Sequence, residues 1–190
     1  DYGFAEMQVF FDLSPWFFLF FIPAISMRSF AEEFEMRTFD LLRTLPVSMN
    51  SIVIGKLLGT FILVLIILIP TGIFVYSIGQ LGSPEGNYDA SLIIGAYTAL
   101  VLLCAVFICL STLASVLVSK QSLAFVLGLV FNFACWQGLQ EIPAMETWSV
   151  YAHYQQMSKG VIDGSSVLYF VGICSILIGL IRLRLDLKFA

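Results

Sequence analysis

Five runs of this chain, at 13–27, 57–78, 91–118, 123–139 and 167–181, contain no Asp, Glu, Lys, Arg or His. A helix rises about 1.5 Å per residue and a bilayer core is roughly 30 Å thick, so runs of this kind suit membrane-crossing helices. They lack the short polar-apolar alternation of an outer-membrane barrel. With 59% of its 190 residues hydrophobic and 12% charged, the chain has too little polar surface to cover a soluble globule. The expected fold class is all-α, a polytopic helical membrane protein forming one transmembrane domain. Its spans are expected near 13–28, 52–78, 91–118, 122–139 and 166–182.

Charge gives the direction of each span, because basic loops between spans face the cytosol. Arg28, Arg37, Arg43 and Lys56 fall in the segment 28–56, Lys120 in the turn before the fourth span, and Arg182, Arg184 and Lys188 in the tail. Of the nine Lys and Arg, only Lys159 falls in the stretches 79–90 and 140–165, which are expected as outer loops. Trp148, Tyr151 and Tyr154 are expected along the headgroups. Five spans that begin outside and end inside, behind an acidic start at Asp1, imply a further helix upstream and six spans in the whole protein. Pro23 and Pro70 are candidate gating kinks, and Gly55 and Gly59 stand at the small-xxx-small spacing that lets helices approach closely.

The apolar runs carry no ionisable group of the kind that ion-coupled carriers keep near mid-membrane. No catalytic residue and no metal ligand is expected: His153 is the one histidine, and Cys104, Cys109, Cys135 and Cys174 read as thiols inside apolar runs. A nucleic-acid footprint is absent. So is a GxxxxGK(S/T) phosphate loop, since Leu57 follows Gly55 and Lys56 where Ser or Thr is needed. No cofactor is therefore expected on this chain, and ATP with Mg would belong to a partner.

The one long charged stretch is 28–56. Phe30, Phe34, Leu41, Leu42 and Leu45 recur there at roughly helical spacing among Glu32, Glu33, Glu35, Arg37, Asp40 and Arg43, which predicts an amphipathic helix closed by Pro46. Ser48 or Asn50 is then placed to cap the next helix. The acidic pair Glu32 and Glu33 reads as hydrated, with a partner protein or Arg28 and Arg37 as alternative partners. The residues alone leave two readings of the stretch, a solvated loop or a docking site.

The wording MRSFAEE, TFDLLRTLPVS and IVIGK resembles the permeases of ABC transporters of the type-2 exporter class, with an acidic pair, a Gly-Thr-x-Glu-Leu-Leu run, a Pro and a Gly-Lys. Arg37 stands where Gly is usual and Asp40 where Glu is. SPWFFLFFIPAISM, LGSPEGNYD, SLIIGAY, SVLVSKQSLAF and HYQQMSKGVIDGSSVLYF extend the likeness over almost the whole chain, to the permease subunits of gliding-motility-associated ABC transporters (Gld F-type). The resemblance implies a multi-pass subunit of the bacterial inner (cytoplasmic) membrane, with a cytosolic ABC ATPase and a second permease subunit or a copy of itself as partners. It also implies a coupling helix at 38–46, with Thr38, Phe39, Asp40, Leu41, Leu42, Arg43, Leu45 and Pro46 as the ATPase-coupling residues. Such a subunit couples hydrolysis to substrate export or force transmission; the alternative is a non-transporting scaffold of a motility or secretion apparatus.

Overall fold

The structure is a computed structural model that describes residues 7–44, 46–81, 90–138, 140, 148–160 and 163–189. The chain runs through α1 (Gln8–Ser26), α2 (Ala31–Glu35), α3 (Phe39–Thr44), α4 (Met49–Leu68), a 3-10 turn (Ile69–Thr71) and α5 (Gly72–Leu81). It continues through α6 (Ala90–Leu117), α7 (Gln121–Phe133), a π-helical turn (Ala134–Gly138), α8 (Val150–Ser158) and α9 (Gly164–Phe189). No strand occurs among the described residues, as the all-α expectation requires. Four stretches are long and apolar enough to cross a membrane: Gln8–Glu35, Met49–Ser77, Ser91–Leu117 and Gly164–Lys188.

α6 is the axis of the bundle. Its span is 67% buried, against 28% for Met49–Ser77 and 22% for Gly164–Lys188, so α4 and α9 turn most of their sides outward. α1, α7, α8 and α9 pack around α6, whose Leu100, Leu103 and Phe107 are fully buried. Ile54, Leu58, Ile62 and Ile66 of α4, with Ile69 of the 3-10 turn, form an outward apolar row suited to lipid and unsuited to water. Gly128 lets three helices converge: a Cβ there would sit 3.3 Å from the Pro23 Cβ of α1 and 3.6 Å from Ser111 of α6. Gly55 and Gly59 do the opposite of what their spacing predicts, since nothing lies within 4 Å of either added Cβ. Among the described residues, that pattern packs no helix of this chain.

Contacts at the two ends give each helix its direction. At one end, Ser115 late in α6 bonds the α1–α2 junction, Lys56 early in α4 meets Glu33, and Gln121 at the start of α7 meets Glu35. At the other, Tyr154 of α8 bonds Phe11 early in α1, and Gly160 lies against Leu92 early in α6. The chain thus makes five passes along the bundle. The fourth is α7, 13 residues prolonged by the five of the π turn. At about 1.5 Å per residue that is roughly 27 Å, the shortest pass.

The stretch 148–160, whose aromatics are expected along the headgroups, packs against one end of the bundle. Val150, Tyr154 and Met157 recur at the i, i+4, i+7 spacing of one helix face, and all three are buried. The Tyr154 hydroxyl donates to the Phe11 carbonyl oxygen at 2.7 Å. Ser149 caps α8 by accepting from the Ala152 N–H at 3.0 Å. Gly160 follows at φ +86°, and the approach to α6 is so close that a Cβ on Gly95 would meet the Met157 carbonyl oxygen at 2.7 Å. Of the three aromatics, Trp148 stays exposed and Tyr151 is half-buried. Residues 82–89, 141–147 and 161–162, within the expected outer loops, lie outside the described residues.

Candidate functional site

The segment between α1 and α4 forms a short two-helix platform across one end of the bundle, and contacts from four helices hold it there. Ser115 of α6, fully buried, accepts from the backbone N–H of Phe30 at 3.1 Å and of Ala31 at 2.9 Å, and donates to the Met27 carbonyl oxygen at 3.1 Å. A hydroxyl has one hydrogen and two lone pairs, so this one is used completely. It finishes α1 and opens α2 from outside both. Lys56 of α4 reaches Glu33, Nζ to Oε1 at 2.5 Å, with the two side chains only 22% and 21% exposed. The same ammonium donates to the Ser29 carbonyl oxygen and lies 4.7 Å from the centre of the Phe30 ring. Glu35 accepts from the Gln121 N–H at 3.3 Å, where the free donors at the start of α7 favour an anion. Lys188 of α9 stands 3.5 Å over the Phe34 ring.

The platform is two helices where the apolar spacing predicts one. α2 ends at Met36, and Arg37 takes φ +57°, the left-handed region. The Thr38 N–H then donates to the Glu33 carbonyl oxygen at 2.9 Å and the Arg37 N–H to that of Phe34 at 3.4 Å. This is the paired closure of a Schellman motif, whose left-handed position is usually Gly. Arg37 occupies this left-handed position, and an L-residue there costs roughly 1–2 kcal/mol. Arg37→Gly is expected to stabilise the purified chain by about 0.5–1 kcal/mol, read as a raised thermal midpoint, whereas Arg37→Val should lower it.

α3 follows, its first turn closed by the Thr38 carbonyl oxygen, which accepts from the Leu41 N–H at 3.1 Å. Phe39, expected as an anchor for a partner, points the other way. It is 2% exposed, with ring centroids 5.1 Å from Phe34 and 6.2 Å from Phe30. Leu42, three residues on and so on the same side, also packs on the core. These two hold the platform to the bundle. Among the described residues, Leu41 is the expected anchor that remains outward, 68% exposed, flanked along the chain by Met36 at 65% and Val47 at 49%.

Asp40 and Arg43 fall on α3 with their side chains outside the described set, as is Leu45; Pro46 is exposed after the helix. Ser48 caps α4, accepting from the Ser51 N–H at 3.3 Å. Glu33 pairs with Lys56, which reaches it once α4 folds back, and not with Arg28 or Arg37, while Glu32 is half-buried. Pro23 is buried inside α1, and Pro70 lies in the 3-10 turn between α4 and α5.

Ser115 and Lys56 are the fastenings that the sequence alone does not assign. Their signals are weak: Ser111, Thr112 and Ser115 cluster late in a mostly apolar helix, and Lys56, the Lys of the IVIGK stretch, is a lone cation at the edge of an apolar run. Ser115→Ala removes one acceptor shared by two buried N–H groups and one donor to a carbonyl. At about 1–3 kcal/mol for a buried group left unsatisfied, the expected loss of stability is at least about 2 kcal/mol. It should appear as a lower thermal midpoint together with new proteolytic nicking between residues 27 and 31.

At the opposite end, His153 shares a hydrogen bond between Nδ1 and the Ser166 hydroxyl at 3.0 Å, and its ring stacks on Tyr169 at 4.2 Å. Burial lowers its pKa against the opposing pull of Asp163. That is a brace between α8 and α9. Among the described residues, no three His, Cys, Asp or Glu side chains gather as a metal centre.

No curated protein matches the chain, and no solved structure does. The family model described as ABC-2 family transporter protein matches residues 6–181. A bundle of apolar helices with a polar platform fastened across one end is thus the membrane subunit of an ABC transporter, and the chain belongs to the ABC-2 transporter family.

Proposed function

We propose that the α2–α3 platform is the coupling element on which a cytosolic ABC ATPase acts. The observation that carries this reading is its two-sidedness. One side is tied to α4, α6, α7 and α9 through Lys56, Ser115, Gln121 and Lys188, while the other leaves Leu41 in the open. A push on α3 then reaches several spans together, as a lever needs in order to bias a bundle between two states. Eight of the nine Lys and Arg belong to the segments at the platform end, which supports a cytosolic position for it. α7 with its π turn is read as one more crossing, fourth in chain order, beside the four longer spans. Asp40, Arg43 and Leu45, together with Thr38 and Pro46, would complete the surface shown to the ATPase.

The finer reading follows the quoted motifs: a permease subunit of the bacterial inner membrane, linked to gliding motility. It would work beside a second permease subunit or a second copy of itself, exporting a substrate or transmitting force as its partner hydrolyses ATP. The test is co-purification of the full chain with its ATPase, with Leu41→Asp and an exposed control, Ile66→Asn on the lipid side. Loss of the ATPase with Leu41→Asp alone is expected; retention of the ATPase by Leu41→Asp would overturn the proposal.

A further inference from the structure

A cavity of about 240 Å³ opens at the end of the bundle opposite the platform, between the start of α1, the π turn and α8. Its wall is unusual for a chain this apolar. Four aromatic residues from three elements, Trp16, Trp136, Tyr151 and Tyr154, line it together with the Asp12 carboxylate and the amide of Gln155. The aromatic side is rigid. Trp136 is 2% exposed, and its ring stands edge-on to Tyr151 at 5.1 Å and to Tyr154 at 5.4 Å. The π turn is what delivers it, since the extra residue of such a turn rotates the side chains beyond it, and π turns gather at functional sites.

Asp12 has no ion-pair partner within 4 Å among the described residues. The one described cation nearby, Lys159, lines a separate recess of about 100 Å³ that shares Asp12 and Gln8 with the cavity. No Lys, Arg or His lines the cavity itself. Tyr154 cannot supply a second anion: burial pushes its phenol far above the ordinary range, and its hydroxyl is committed to Phe11. What remains, among the described residues, is one carboxylate lining the same cavity as the part-exposed rings of Trp16 and Tyr151, with the buried Trp136 and Tyr154 behind them and a side-chain amide beside.

We propose that this cavity binds a small organic ammonium of the choline or ethanolamine type. Aromatic faces attract cations through their ring quadrupole, worth about 0.5–2 kcal/mol each depending on desolvation, and Trp16 and Tyr151 are the two lining rings with surface left to offer. The carboxylate supplies the counter-charge, and the Gln155 amide suits an oxygen on the same ligand. Size restricts the class further, because 240 Å³ lies below the roughly 300–1,000 Å³ of sites for drug-sized ligands. A free solute and the headgroup of a lipid share this chemistry.

The experiment titrates the full chain in uncharged maltoside micelles with choline, with tetramethylammonium and with 3,3-dimethylbutanol, the uncharged isostere of choline, following tryptophan fluorescence. Saturable binding of both cations is expected, at least about tenfold tighter than the isostere. Asp12→Asn should weaken the cations about tenfold and leave the isostere unchanged, and Trp16→Leu should weaken the cations while the thermal midpoint holds. Repeating the titration in phosphatidylcholine nanodiscs separates the sources: a rightward shift for free choline means that the lipid headgroup occupies the site, and an unshifted curve means a soluble ammonium. No saturable response to either cation in micelles would overturn the proposal, as would equal affinity for the isostere.

Discussion

Leu41→Asp is expected to leave the chain folded and inserted while abolishing its association with the ABC ATPase. The two halves of that outcome have separate causes. Leu41 is 68% exposed and takes no part in the buried core, so its replacement should change stability by no more than about 0.5 kcal/mol. A carboxylate forced into an apolar groove of a partner, by contrast, is buried without a counter-charge. Central interface residues of this kind cost at least about 2 kcal/mol when lost, close to a thirtyfold drop in affinity. Pull-down of the ATPase and the thermal midpoint of the permease, measured on one preparation, read both halves.

Lys56→Met should behave in the reverse way. It removes the partner of Glu33, the bond to the Ser29 carbonyl oxygen and the cation above Phe30, all on the hidden side of the platform. Breaking one partner of a fully buried pair costs roughly 3–5 kcal/mol, and partial exposure of both side chains here reduces that to about 2–3 kcal/mol. The thermal midpoint should fall while the ATPase still binds, because Leu41 is untouched. The double variant Glu33→Leu with Lys56→Met should recover most of the loss, since no charge is then left unpaired. Equal losses in the double and single variants would mean that the pair contributes nothing as a pair. Leu41 and Lys56 together thus separate the surface proposed for the ATPase from the fastening behind it.

Much of the fold was legible because lipid imposes so strong a pattern. Four of the five apolar runs fall in helices long and apolar enough to cross a membrane, Ser48 is the one of the two expected caps, Ser48 or Asn50, that starts α4, and the charge clustering marked one end of the bundle. The site was legible in outline, as the single charged segment, and illegible in detail for three physical reasons. Helical spacing shows which residues share a face but not which face meets the body, so Phe39 and Leu42 looked as available as Leu41. The break at Arg37 is a left-handed residue of a type that seldom adopts that conformation, and its only trace was the departure from Gly in the resembling pattern. The fastenings are non-local: Ser115 meets Phe30 across 85 positions and Lys56 meets Glu33 across 23. The burial of α8 was missed because Trp148, Tyr151 and Tyr154 suit an interface as well as a core, and only the complementary surface of α1 and α6 decides between them.

The most direct measurement labels Met36→Cys, 65% exposed on the platform, with a membrane-impermeant maleimide. The four native thiols are buried or half-buried, so the new one should dominate the signal. Labelling in inside-out vesicles but not in intact cells, with protection when the ATPase is bound, is the result expected of a cytosolic platform gripped by its motor. Labelling of intact cells from outside would contradict it.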